Sequence, residues 1–191
     1  MKENFLNGQN HLTKLFRQKG MSNWPEILSW VHQLPYGRND NREDLSSVIR
    51  EEKGTCSSKH ALLKAVADDN KIKQVDLVMG IYLMHPQNTP GIASVLDEIG
   101  LSAIPEAHCY LSIEGKRRDF TFPEVAPESF QLTLLEERII PVEAVFQQKI
   151  QWHQEFLKQW INKHGIQHSF SEIWATREAC IMQLSLNQNH S

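Results

Sequence analysis

A chain of 191 residues with 40% hydrophobic and 23% charged residues is long enough to bury a core within one domain and too apolar for a disordered or fibrous protein. Its formal charge of -3, with basic residues scattered apart from the run Lys116, Arg117 and Arg118, argues against an extended basic surface, so no nucleic-acid partner is expected. Neither a signal-length apolar run near the N-terminus nor a stretch of about 18 apolar residues occurs, so no membrane association and a cytoplasmic location are expected.

The three cysteines, Cys56, Cys109 and Cys180, are an odd number at wide spacings, a pattern of reduced thiols rather than of a disulfide framework. In chain order a first helix is expected over 9–19, where Leu12, Leu15 and Phe16 recur at helical spacing before Gly20. A second is expected from about Pro25 to Leu34, with Trp24, Ile27, Leu28 and Val31 as its buried stripe and Pro35 and Gly37 as breakers. A short helix over about 42–52 carries Leu45, Val48 and Ile49 on one side and stops toward Gly54 in a left-handed conformation. A fourth helix follows Cys56, turns Leu62, Leu63 and Val66 to the core and closes at Asp68, Asp69, Asn70 and Lys71.

From Gln74 the character changes. Residues 75–84, VDLVMGIYLM, are rich in β-branched and aromatic types and predict a buried strand. A loop over 85–91 leads to a short helix over 92–99 stopped by Gly100, and 105–123 reads as two strands joined at EGKR. Leu135 to Arg138, LEER, reads as surface charge ahead of a helix. Pro141 opens a long helix to about Lys163 with Val145, Phe146, Ile150, Phe156, Leu157 and Trp160 inward, and Ser169 to Glu172 fits a capping box for a last helix to about Leu184. The tail NQNHS is expected to fray. No repeat, low-complexity tract or linker divides the chain.

Cys56 stands out because it follows Gly54 and Thr55 and opens a helix. Unpaired N–H groups and the positive end of the helix dipole favour thiolate there. Gly54 lets backbone come close to a substrate, and the Cys56 N–H can donate to an oxyanion. A thiolate nucleophile needs an imidazole, and the imidazole needs an acceptor that orients it. In the hairpin reading, His108 shares a face with Tyr110 and Ser112, and two-residue alternation brings Asp119 to that face opposite or diagonal to His108. The bland alternatives are a buried cysteine acting as a small hydrophobe, a strand histidine and an edge charge.

The stretches GTCSSKHALL and AHCYLSIEGKRRDFT together resemble the transglutaminase-like superfamily of papain-like Cys-His-Asp enzymes, as a small bacterial-type member, over about residues 30–123. The resemblance implies Cys56 as nucleophile, His108 as general base and acid, and Asp119 as the group orienting the ring. It also implies a second oxyanion donor upstream of the cysteine, for which Gln33 and Tyr36 are the candidates. The chain departs from the family in Ser57, where many members carry an aromatic residue, and in Arg117 and Arg118, where they carry a tryptophan before the Asp.

A zinc site from Cys56, His60, His108 and Cys109 is a weaker reading, because adjacent strand residues point to opposite faces and neither CxxC nor HExxH occurs. His60 is then a polar neighbour of the site or a solvated helix residue. His164 and His168 read as a solvated connection around Gly165, and the tryptophans Trp30, Trp152, Trp160 and Trp174 as core. The expectation is therefore an α+β domain, with a transglutaminase-like core over about 22–125 and a C-terminal helical extension over about 141–184. It would transfer or hydrolyse an acyl group from a peptide or protein amide, or an ester, through a Cys56 thioester, with no metal or organic cofactor. The alternative is a catalytically silent binding or scaffold protein whose C-terminal helices could serve a partner or a homo-oligomer.

Overall fold

Two long apolar strands organise the molecule. β1 (Val75–Met84) and β2 (Ile104–Ile113) pair antiparallel along their whole length, Val75 opposite Ile113 and Met84 opposite Ile104. β3 (Lys116–Arg118) returns from β2 through Glu114 and Gly115, both with positive φ, as a two-residue hairpin turn requires. β4 (Leu134–Ile139) pairs antiparallel with the other side of β1, and the sheet order is β3-β2-β1-β4. The computed structural model describes residues 4–123 and 130–187. It shows an α+β architecture of helices with a small antiparallel sheet.

Both faces of the sheet are covered, which is why β2 is buried almost throughout instead of alternating. Odd-numbered residues of β1 and β2, including Leu77, Met79, Ile81, Ala107 and Leu111, join one core cluster with the N-terminal helices. These are α1 (His11–Gln18), α2 (Trp24–Gln33), α3 (Ser46–Glu51) and α4 (Cys56–Asp69). Even-numbered residues Val78, Tyr82, Ile104 and Tyr110 join a second cluster with Leu96, Leu157, Ile173 and Cys180. Those come from α5 (Ala93–Asp97), α6 (Gln147–His164) and α7 (Phe170–Asn187). Successive strand residues point to opposite faces, so one strand serves two cores.

Several elements differ from the sequence expectation. The helix expected over 42–52 is only α3, and its left-handed stop is Glu52 at φ 51° rather than Gly54. LEER, expected as surface charge ahead of a helix, lies within β4, an edge strand whose charged side chains are exposed. The helix expected from Pro141 begins as a 3-10 turn over Val142–Val145 and restarts at Gln147, because Phe146 leaves helical geometry at ψ -89°. The Ser169–Glu172 capping box forms as expected, with Ser169 N–H donating to Glu172 at 2.8 Å and Glu172 N–H to Ser169 Oγ at 3.2 Å. Of the tail NQNHS, residues 188–191 lie outside the described residues. Among the described residues no helix is long and apolar enough to cross a membrane.

Candidate active site

The site begins with how α4 starts. Thr55 caps it: Ser58 N–H donates to Thr55 Oγ1 at 3.3 Å, and Thr55 N–H donates to Ser58 Oγ at 2.9 Å. This reciprocal box leaves Cys56 at the first helical position, beside the free N–H groups of the first turn. Gly54 holds the preceding segment against the 35–39 loop. Its N–H donates to Pro35 O at 3.1 Å and its carbonyl accepts from Gly37 N–H at 3.3 Å. A Cβ at Gly54 would meet Lys59 Cγ at 2.9 Å and Ser58 Oγ at 3.0 Å, so a larger residue would push α4 away from that loop. The pairing of Gly54 with Tyr36 sets the tyrosine next to Cys56.

β3 is short, and that makes room for the thiol. The β2–β3 pairing stops at Leu111 opposite Arg118. Beyond it the edge of β2 is open, and the Cys109 backbone N–H is near enough to Cys56 to help bring its pKa down. The chain leaving β3 carries Asp119, whose Oδ2 accepts from His108 Nε2 at 2.7 Å. Asp119 Oδ1 accepts from Thr121 N–H at 2.9 Å and from Thr121 Oγ1 at 2.5 Å. The His108 ring is near enough to Cys56 for each to shift the other's titration, and with Nε2 held by Asp119, Nδ1 is the nitrogen left to serve the sulfur. Phe130, at a ring-centroid distance of 4.9 Å, and Tyr82, at 6.0 Å, wall in the imidazole.

Two neighbours of Cys56 on α4 hold this geometry. Lys59 is 0% exposed and its Nζ donates to Leu34 O at 2.5 Å, Thr121 O at 2.7 Å and Phe120 O at 3.3 Å, tying α2 and the Asp119 segment to α4. Burial brings its pKa down to about 8. His60, also 0% exposed, donates from Nδ1 to Cys56 O at 2.7 Å and accepts the Phe120 N–H on Nε2 at 2.8 Å. Burial pushes its pKa down to about 4, so it is neutral. Its Nε2 lies 3.5 Å from Asp119 Oδ1, but a nitrogen already accepting an N–H has no proton to share, so this approach is not an ion pair.

Lys149 comes from α6, on the opposite side of the thiol. It is 8% exposed, its Nζ lies 3.7 Å from Cys56 Sγ, and it donates to Ser57 Oγ at 2.8 Å. Burial would push the Cys56 thiol up. The Lys149 ammonium, the His108 imidazolium and the hydrogen bonds from His108 and Cys109 outweigh it and bring the pKa from 9.0 down to about 6. Burial would depress His108, whereas the Asp119 carboxylate and the Cys56 thiolate raise it to about 10. Around neutral pH the pair is therefore thiolate and imidazolium. Burial pushes Cys109 and Cys180 up to about 11, which leaves Cys56 as the one activated thiol of the three.

The sulfur opens into a cleft of about 260 Å³. One wall is the 36–42 loop and the start of α4, and the other is Val145, Phe146, Lys149 and Ile150 of the α6 end with Trp174, Arg177 and Ile181 of α7. His108 and Asp119 are not among the residues that line the cleft. α7 is fastened over β2 by a buried pair: Arg177 Nε and Nη2 each donate to the Glu106 carboxylate at 2.7 Å. Burial would raise the Glu106 pKa, but Arg177 holds it down to about 2. Glu106→Ala takes the two-point partner away from a largely buried guanidinium and leaves it Glu178 alone, and a loss of about 3–5 kcal/mol is expected, to be read from urea unfolding midpoints. A loss below about 1 kcal/mol would show that α7 is held by other contacts.

The structure brings Cys56, His108 and Asp119 together and sets Tyr36 in the cleft wall. Gln33 is not brought to the cleft: it is the exposed last residue of α2 and is not among the residues lining it, because the helix turns it to solvent before the chain bends at Pro35. His60 is buried and hydrogen-bonded rather than solvated. Among the described residues no group of His, Cys, Asp and Glu side chains could hold a metal ion. Sequence reasoning missed Lys59, Glu106, Lys149 and Arg177. Lys59 shares the helical stripe of Leu62, Leu63 and Val66, and Lys149 that of Val145 and Trp152; a cation in phase with core residues was the available signal. No protein-family model matches the chain, and neither a curated protein nor a solved structure matches it.

Proposed function

We propose that the protein is a thiol-dependent acyl-transfer enzyme with a transglutaminase-like, papain-like core, acting on an amide or ester through a thioester on Cys56. The carrying observation is the chain of contacts from the Cys56 sulfur through His108 to Asp119 at 2.7 Å, with the thiol pulled down to about 6. The thiolate attacks the carbonyl carbon, the Cys56 N–H serves as donor to the developing oxyanion, and Tyr36, in the cleft wall and kept protonated by burial, is the side chain proposed as the second donor. His108 then gives its proton to the leaving amine or alkoxide as the carbonyl bond to that group breaks. Neutral His108 next takes a proton from water or an incoming amine, which attacks the thioester and restores the thiolate and imidazolium.

A silent binding or scaffold role would be favoured by exposed apolar residues on the 142–163 segment. The large exposed apolar side chains, Phe5, Leu132, Leu135, Ile139, Met182 and Leu186, lie elsewhere among the described residues. The test is intact-protein mass spectrometry after exposure to 4-nitrophenyl hexanoate, with and without hydroxylamine as acceptor. An adduct of one hexanoyl group on Cys56, absent in Cys56→Ala and discharged by water or hydroxylamine, is expected. No adduct at Cys56 at any pH between about 6 and about 10, the window in which the pair is thiolate and imidazolium, would sink the reading.

A further inference from the structure

Six charged side chains line the cleft: Arg38, Arg42, Lys149 and Arg177 against Glu106 and Glu178. Both carboxylates are already engaged. Glu106 is held by Arg177 at two contacts of 2.7 Å, and Glu178 by Arg177 and by Arg38 at 2.6 Å. Among the described residues this leaves Arg42, on the exposed rim, and Lys149, at the buried end, with no carboxylate partner. The acidic sequence neighbours of Arg42 do not line the cleft, and Asp44 is turned to Arg50 at 2.8 Å.

The anion in contact with Lys149 is the Cys56 thiolate; the Glu106 carboxylate, which also favours the ammonium, is already held by Arg177. Lys149 Nζ lies 3.7 Å from the sulfur, and its one close oxygen partner, Ser57 Oγ at 2.8 Å, is neutral. When the sulfur becomes a thioester its charge is gone, and a buried ammonium is left facing the acyl group. Such a charge is costly unless an anion arrives with the substrate. A neutral acyl chain leaves that cost in place, and an anionic one removes it. The apolar side chains Phe146 and Ile150 lie in the same wall and suit a short methylene spacer.

We propose that the cleft selects acyl donors whose acyl group carries a carboxylate, received by Lys149 and Arg42; this rests on the acyl-transfer reading above. In the first step the Cys56 S–C bond forms and the carbonyl bond to the leaving group breaks with its electron pair. An activated aryl ester thus yields a thioester and an aryloxide with no further reactant.

The experiment compares 4-nitrophenyl adipate monoester with 4-nitrophenyl hexanoate, chains of equal length that differ in a terminal carboxylate. Rates of Cys56 acylation are followed by 4-nitrophenolate release and intact mass, each normalised to the same ester's reaction with free cysteine. The adipate is expected to react at least about tenfold faster than the hexanoate, the size of one charge-assisted contact. That ratio should fall toward unity in Arg42→Glu and in Lys149→Met. A wild-type ratio of about 1 or below overturns the inference while a hexanoyl adduct still upholds acyl transfer; such a ratio means that Lys149 sheds its proton instead of receiving an anion. Absence of any adduct overturns both. A high ratio unchanged in the variants overturns the assignment to these two residues, and Arg42→Glu, exposed at the rim, carries the test alone if Lys149→Met fails to fold.

Discussion

Cys56 of the wild-type protein reacts with iodoacetamide down to about pH 6, and replacing His108 by Ala or Lys149 by Met moves that profile upward by about 1–3 units each. The sign follows from the charges. Two cations flank the sulfur, and each favours thiolate over thiol, so removing either makes the proton harder to lose. With both removed, burial is opposed only by the Cys109 N–H, and the midpoint should rise past the ~8.5 of a free thiol. In the wild type, reactivity is present above about pH 6 and lost as pH falls through it. Cys109 and Cys180, pushed up to about 11, serve as internal controls that stay unmodified at neutral pH. Peptide mapping after timed alkylation reads all three. A wild-type midpoint near that of a free thiol, or profiles that coincide in the variants, would mean that Cys56 is a structural thiol.

Asp119→Asn lowers turnover of an activated ester by about 10²–10⁴-fold while leaving the fold in place. The carboxylate does two things at once. Its Oδ2 accepts the Nε2 proton of His108 at 2.7 Å, which points Nδ1 at the sulfur, and its charge raises the His108 pKa to about 10. An amide keeps the size and loses the charge, so the imidazolium is less stable and the thiolate loses part of its counter-ion. The basic limb of the pH–rate profile, where His108 can no longer protonate a leaving group, should move down from about 10 toward the ordinary histidine range. The acid limb should move up from about 6, so the active window narrows from both sides. Steady-state rates across pH 5–10.5 on a neutral ester measure this, with thermal unfolding as the folding control. Unchanged turnover with unchanged limbs would remove Asp119 from the mechanism.

Much of this site was legible in the sequence because its spacing is local. Helix start and thiol coincide at Cys56, since Thr55 and Ser58 form a capping box within four residues. His108 and Asp119 are brought together by one hairpin, whose turn at Glu114 and Gly115 sets the alternation that puts them on one side. The β1 run and the Ser169 cap were equally local. β4 was not, because an edge strand of charged residues carries no apolar alternation and is recognised only by its pairing with β1.

The sequence by itself determined the helix start that bears the Cys56 thiol and the hairpin that brings the His108 imidazole to the Asp119 carboxylate, because hydrogen bonding within a helix turn or a two-residue hairpin depends on neighbours a few positions away. Only the tertiary structure decided what surrounds them. Lys149, 93 positions from Cys56, becomes its counter-ion, Arg177 seats α7 on Glu106 across 71 positions, and Lys59 binds the carbonyls that fix Asp119. The same packing separated Tyr36 from Gln33, two candidates three residues apart, by turning one into the cleft and the other to solvent. Periodicity states which face of an element is buried, but the partner that face meets is set by how layers distant in sequence close over one another, and the charge on the sulfur depends on that partner.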